Sequence, residues 1–100
     1  MCPEPLCCRK ENGKGKYPQE TAGKWGYIGK CDLPMITLIN FLDTMANDIK
    51  PDFLIVTGDN PGHDMWQTNY NEAFQITSLF TDLIQYKYNM SIPVYPTLGN

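Results

Sequence analysis

The sequence predicts an α/β chain in which two short strands flank a long helix and run parallel. Three observations carry this. A four-residue apolar run, Phe53-Leu54-Ile55-Val56, reads as a buried strand and ends at Thr57-Gly58 followed by Asp59. A second run, Ile92-Pro93-Val94-Tyr95-Pro96, ends at Leu98-Gly99-Asn100. Between them lies a stretch of helical periodicity long enough for a crossover, and a strand–helix–strand unit of this kind is parallel and right-handed. Two strands cannot bury both faces of a parallel sheet, so the rest of that sheet is expected from chain outside these residues.

The elements follow in order. Residues 1–31 read as a Gly/Pro/Lys-rich loop segment tied by cysteines, and 32–100 as the α/β part. A first helix is predicted with Asp32 as N-cap and Pro34 in its first turn. Its apolar stripe is Met35, Leu38, Ile39, Leu42, Met45 and Ile49, at spacings of three and four. Pro51 ends it and leads into the first strand. Asn60-Pro61-Gly62 marks a turn after Asp59. The second helix is predicted over about 67–88, with Tyr70, Ala73, Phe74, Thr77, Phe80, Leu83 and Ile84 inward. The second strand closes the unit. There is no internal repeat and no low-complexity tract.

Composition excludes several classes. With 42% hydrophobic and 19% charged residues the chain is globular in type rather than disordered. A net charge of −3 argues against a nonspecific nucleic-acid binder. No run approaches a membrane span, and MCPEPLCCRK lacks the apolar stretch of a signal peptide. Lys10, Lys14, Lys16 and Lys24 read as a solvated loop face, with membrane-surface contact as the alternative.

The four cysteines, Cys2, Cys7, Cys8 and Cys31, lie in the first third. Four allow three pairings, and a bond between the adjacent Cys7 and Cys8 would be strained. That leaves 2–7 with 8–31, or 2–8 with 7–31. Chain entropy favours the short loop by roughly 2 kcal/mol and the long one by roughly 3.5 kcal/mol. A zinc site is the alternative, but the CxxC pairs of a zinc ribbon are missing. Disulfides need an oxidising compartment, and with no export signal present this points to missing upstream sequence. Asn89-Met90-Ser91 is a glycosylation sequon, in keeping with secretion.

Candidate chemistry gathers at the strand ends. Asp59, at the carboxyl end of a strand, is placed to bridge two divalent ions, and the Asn100 amide oxygen could add a neutral ligand. The alternative for Asp59 is a turn or capping role. His63 lies four residues on, beyond a tight turn, and could hold a phosphate oxygen or protonate a leaving group; an exposed loop histidine is the other reading. Asp64 could orient that imidazole, and Trp66 could line a substrate mouth or pack beneath its loop. The aromatics of the second helix read as core. No Gly-rich phosphate loop and no serine nucleophile elbow is present.

Several segments together resemble the acid sphingomyelinases, within the calcineurin-like metallophosphoesterases. They are Cys2 with Pro5-Leu6-Cys7-Cys8-Arg9, Ala22-Gly23-Lys24-Trp25-Gly26, Gly29-Lys30-Cys31-Asp32-Leu33-Pro34, Thr57 through Trp66, and Ile92-Pro93-Val94-Tyr95-Pro96 through Gly99-Asn100. The resemblance implies part of a four-layer α/β/β/α sandwich. It implies Asp59 as the carboxylate bridging two zinc ions, Asn100 as a ligand of one, and His63 as the acid protonating the departing ceramide alkoxide. It implies bridges 2–7 and 8–31, a lysosomal or extracellular location, and hydrolysis of sphingomyelin to ceramide and phosphocholine. The complete enzyme would contact the membrane surface, and no nucleic-acid binding is expected. Departures accompany it. The Asp-x-His motif expected before Cys2 and the later Gly-His-x-His motif are absent, and Tyr27 stands where relatives often carry an acidic residue. The chain is therefore read as an internal piece of a larger enzyme, incomplete at both ends and inactive alone. Two alternatives stand beside this. One is a phosphodiesterase of the same fold acting on nucleotides or other phosphoesters; the other is a small secreted disulfide-stabilised binding domain.

Overall fold

A computed structural model describes residues 8–63 and 68–99. The chain divides into two compact units, Met1–Leu38 and Ile39–Asn100. In the first, short 3-10 turns at Lys10–Asn12 and Pro18–Glu20 interrupt an otherwise irregular path. Ties among the described residues hold this path. Cys8 and Cys31 form a disulfide with their Cα atoms 5.2 Å apart. Gly23 and Gly26 make an isolated antiparallel bridge. The Thr37 hydroxyl donates to the Trp25 carbonyl at 2.9 Å.

Helix α1 spans Met35–Thr44. Its first carbonyl acceptor is Pro34, which receives the amides of Thr37 at 3.0 Å and Leu38 at 3.2 Å. The start therefore lies later than an Asp32 cap would give, with Pro34 before the helix rather than within its first turn. The helix widens into a π turn at Met45–Ile49, closed by the Lys50 amide on the Met45 carbonyl at 2.8 Å. Lys50 adopts a left-handed φ of 53° as the cap that ends the turn, and Pro51 follows it. Leu42 is buried, and Leu38, Ile39 and Met45 are half-buried as the stripe predicts. Met35 and Ile49 are exposed; the wider turn carries Ile49 off the helical stripe.

Strands β1, Leu54–Val56, and β2, Val94–Pro96, pair in parallel. Leu54 faces Val94, Ile55 faces Tyr95 and Val56 faces Pro96. Both strands are shorter than their apolar runs. Between them α2 spans Tyr70–Tyr88. Its start is set by a reciprocal capping box. The Glu72 amide donates to the Asn69 side chain at 3.0 Å, and the Asn69 amide donates to the Glu72 carboxylate at 3.4 Å. Asn89, at a left-handed φ of 46°, ends it.

Side chains alternate across the strands. Val56, Val94 and Pro96 face α2, where Ile84 and Tyr88 are buried and Phe80 is half-buried. Tyr70 and Phe74, predicted inward, are 96% and 73% exposed, and Thr77 is exposed too. Lengths account for this. A helix of 19 residues is about 28 Å long, whereas strands of three residues cover about 10 Å. Only the C-terminal half of α2 has sheet beneath it. The opposite sheet face carries Phe53, Ile55 and Tyr95, all exposed, with the Phe53 and Tyr95 rings edge to face at 6.3 Å. Asp43 on α1 and Lys87 on α2 form an ion pair. Among the described residues no helix is long and apolar enough to cross a membrane.

Candidate active site at the strand ends

Parallel pairing extends beyond the two strands and ends in a tight backbone contact. The Thr97 amide donates to the Val56 carbonyl at 2.8 Å, and the Thr97 hydroxyl reaches the same oxygen at 3.2 Å. Two residues on, Gly58 and Asp59 both take positive φ, 87° and 57°. Left-handed backbone suits glycine, and aspartate tolerates it better than most residues. A Cβ on Gly58 would fall on the backbone of Gly99, and a Cβ on Gly99 would fall on the amide nitrogen and carboxylate of Asp59. Both glycines are thus required by space. Together they let the two chain segments close to backbone contact and set the Asp59 carboxylate against Gly99.

This places the sequence-predicted residues as follows. Asp59 is exposed at the strand end and touches Gly99. Asn100, Asp64, Trp66, Cys2 and Cys7 lie outside the described residues. His63 is exposed on the loop that follows β1.

A feature that sequence reasoning did not anticipate adjoins the strand ends. A cavity of about 340 Å³ lies between α2 and the sheet, lined by Phe80, Ile84 and Tyr88 on the helix and by Val56 and Val94 on the strands. Asn60 and Thr97 bring it to the residues flanking Asp59. The Tyr88 hydroxyl is buried there without a hydrogen-bond partner among the described residues, and burial raises its pKa above the usual tyrosine value. The α2 periodicity put aromatics on this side, but a cavity depends on how far the strands extend under the helix, which periodicity does not encode.

Asp59 offers an anionic oxygen at the strand end, close against Gly99. Among the described residues no group of three His, Cys, Asp or Glu side chains converges. A zinc ion takes about four ligands, so the described residues do not by themselves make up such a centre.

Residues 34–100 match the calcineurin-like phosphoesterase family. The chain belongs to that family. Sphingomyelin phosphodiesterases are similar along almost its whole length. That of Bos taurus is 37% identical over 99 residues and that of Homo sapiens 36% over 99. Sphingomyelin phosphodiesterase B of Dictyostelium discoideum is 36% identical over 101. Each match covers 99% of this chain and 16% of the relative, so the phosphoesterase chain spans about a sixth of the length of these relatives. Calcineurin-like phosphoesterases are metal-dependent, and the α/β unit with its carboxylate at a strand end belongs to this phosphoesterase domain.

Proposed function

We propose that these residues form part of a sphingomyelin phosphodiesterase, contributing Asp59, Asn100 and His63 to a centre completed by the rest of a longer protein. The observation that carries the reading is the junction of Gly58-Asp59 with Gly99, which sets a carboxylate beside the residue preceding Asn100. The similarity to sphingomyelin phosphodiesterases over 99% of the chain supports the substrate class. The exposed face of Phe53, Ile55 and Tyr95 supports a further layer over the sheet, as in a four-layer α/β/β/α sandwich. The Cys8–Cys31 disulfide suits the oxidising lysosomal or extracellular compartments.

The roles follow from residue chemistry. Asp59 and Asn100 would hold a pair of divalent ions, zinc in this reading, one through a charged and the other through a neutral oxygen. When bound, such a pair supplies a nucleophile at neutral pH and offsets charge on the phosphoryl oxygens. His63 holds a proton on its imidazole and delivers it to the departing alkoxide oxygen of ceramide, a group that leaves poorly as an anion. Gly58 and Gly99 position Asp59 by allowing the close approach.

The test is phosphocholine release from sphingomyelin by the 100-residue chain and by the longer protein that carries it, each as wild type and as Asp59→Asn. The chain by itself is expected to give none, even with zinc. The longer protein is expected to turn over and to lose about a hundredfold or more on Asp59→Asn, since even residues that only orient metal ligands cost 10- to 100-fold. Turnover by the isolated chain, or undiminished turnover by the variant, overturns the reading. Faster cleavage of a nucleotide diester than of sphingomyelin by the longer protein would reassign its substrate.

A further inference from the structure

We infer that Asn89 carries an N-linked glycan, a modification site at the C-terminal end of α2. Asn89-Met90-Ser91 meets the residue rule for such a site, since the asparagine is followed by a residue other than proline and then by serine. Of the seven asparagines before Asn100, Asn89 alone meets it. The triplet by itself fixes only chemical eligibility. Its place in the fold decides whether an attached sugar has room.

The triplet forms a tight turn. Asn89 and Met90 both take left-handed backbone, at φ 46° and 54°, and the Ser91 amide donates to the Tyr88 carbonyl at 2.8 Å. Two successive residues of positive φ closed by that bond make a type I′ turn. Asparagine is among the residues that tolerate this backbone best. The Ser91 hydroxyl donates to the same carbonyl. The base of the turn is anchored inward, because Tyr88 is buried. Its apex is open: Asn89 and Met90 are both exposed, Met90 at 79%. Tyr86, three residues before Asn89, is also exposed.

The reaction is a glycosyl transfer. The Asn89 amide nitrogen bonds to the anomeric carbon of an oligosaccharide held on a polyisoprenoid pyrophosphate. The bond from that carbon to the pyrophosphate breaks, the pyrophosphate leaves with the electron pair, and the amide gives up one proton. This chemistry belongs to the oxidising compartment in which disulfides form, and the Cys8–Cys31 bridge suits passage through it. A bulky hydrophilic group at Asn89 also constrains the rest of a longer protein. Whatever completes the sheet must leave this end of α2 facing solvent, because burying a glycan would take its hydroxyls out of water without partners. The inference does not rest on the hydrolytic reading, because the modification is read by mass and not by turnover.

The test is expression of the longer protein through the secretory route of animal cells, followed by peptide mass analysis with and without peptide N-glycosidase. The peptide containing Asn89 is expected to carry a glycan, which the enzyme releases while converting the Asn89 amide to a carboxylate. Ser91→Ala should abolish the glycan while leaving Asn89 itself in place, and Ser91→Thr should retain it. Asn71→Gln, at an exposed asparagine outside any such triplet, should leave the Asn89 peptide unchanged. An unmodified Asn89 peptide in the secreted protein, or a glycan that survives Ser91→Ala, would overturn the inference. So would a glycan at Asn89 found only on molecules retained in the cell, since the helix end would then be covered in the folded protein.

Discussion

Replacing Gly58 by alanine is expected to prise apart the two strand ends. The cost has two parts. The backbone at Gly58 sits at φ 87°, a region that costs a residue with a side chain about 1–3 kcal/mol. The new Cβ would also land on the Gly99 backbone. A main chain cannot rotate aside as a side chain can, and forced overpacking of this kind costs about 1–3 kcal/mol. The total, about 2–6 kcal/mol, rivals the whole stability of many small domains. Gly13 supplies the comparison. It also has positive φ, 71°, but a Cβ there meets open space, so Gly13→Ala carries only the backbone part. The assays are denaturant unfolding followed by circular dichroism and hydrogen exchange at the Thr97 amide, which donates to Val56 at 2.8 Å. Gly58→Ala should lose at least about 1 kcal/mol more than Gly13→Ala, and the Thr97 amide should exchange faster. Equal losses in the two variants, with Thr97 still protected, would refute the claim that the strand ends are in backbone contact.

Two further outcomes can be checked on the same chain. Asn69→Ala removes the acceptor for the Glu72 amide and should cost about 1 kcal/mol, read as a lower unfolding midpoint with fraying confined to the first turn of α2; an unchanged midpoint would show the cap to be idle. Tyr88→Phe deletes a buried hydroxyl that has no partner among the described residues and should be neutral or stabilising by up to about 1 kcal/mol. The raised Tyr88 pKa adds a pH signature. The folded state favours the protonated phenol, so this contribution is fully present below the unfolded tyrosine value of about 10 and is lost as pH rises through the higher folded value. The wild type should therefore weaken above about pH 10 more steeply than Tyr88→Phe; parallel profiles would mean that the hydroxyl reaches solvent.

Much of the architecture was legible because local rules and tertiary context agree. The α1 stripe, the proline that ends it, the two apolar runs and the end of α2 near Tyr88 all follow from periodicity and from the stereochemistry of proline. The inward placements that failed share one cause. Tyr70, Phe74 and Ile49 lie on apolar stripes, but a stripe states which face is apolar, not whether anything covers it. Only the length of sheet under α2 and the widening of α1 into a π turn decide that.

The site divides in the same way. Residue order alone carries the chemical types: a carboxylate and an amide each following a predicted strand and a glycine, a histidine on the adjoining loop, and a lysine-rich segment enclosed by cysteines. It also determined family membership, since those types recur at characteristic spacings. Only the tertiary structure decided that Gly58 and Gly99 meet, because their contact depends on parallel register and on backbone curvature 41 residues apart in the chain. It also decided that a cavity with a buried phenol adjoins them. The physical reason is that residue type follows local spacing, whereas contact requires two distant segments to share one small volume. No single stretch of chain encodes that volume.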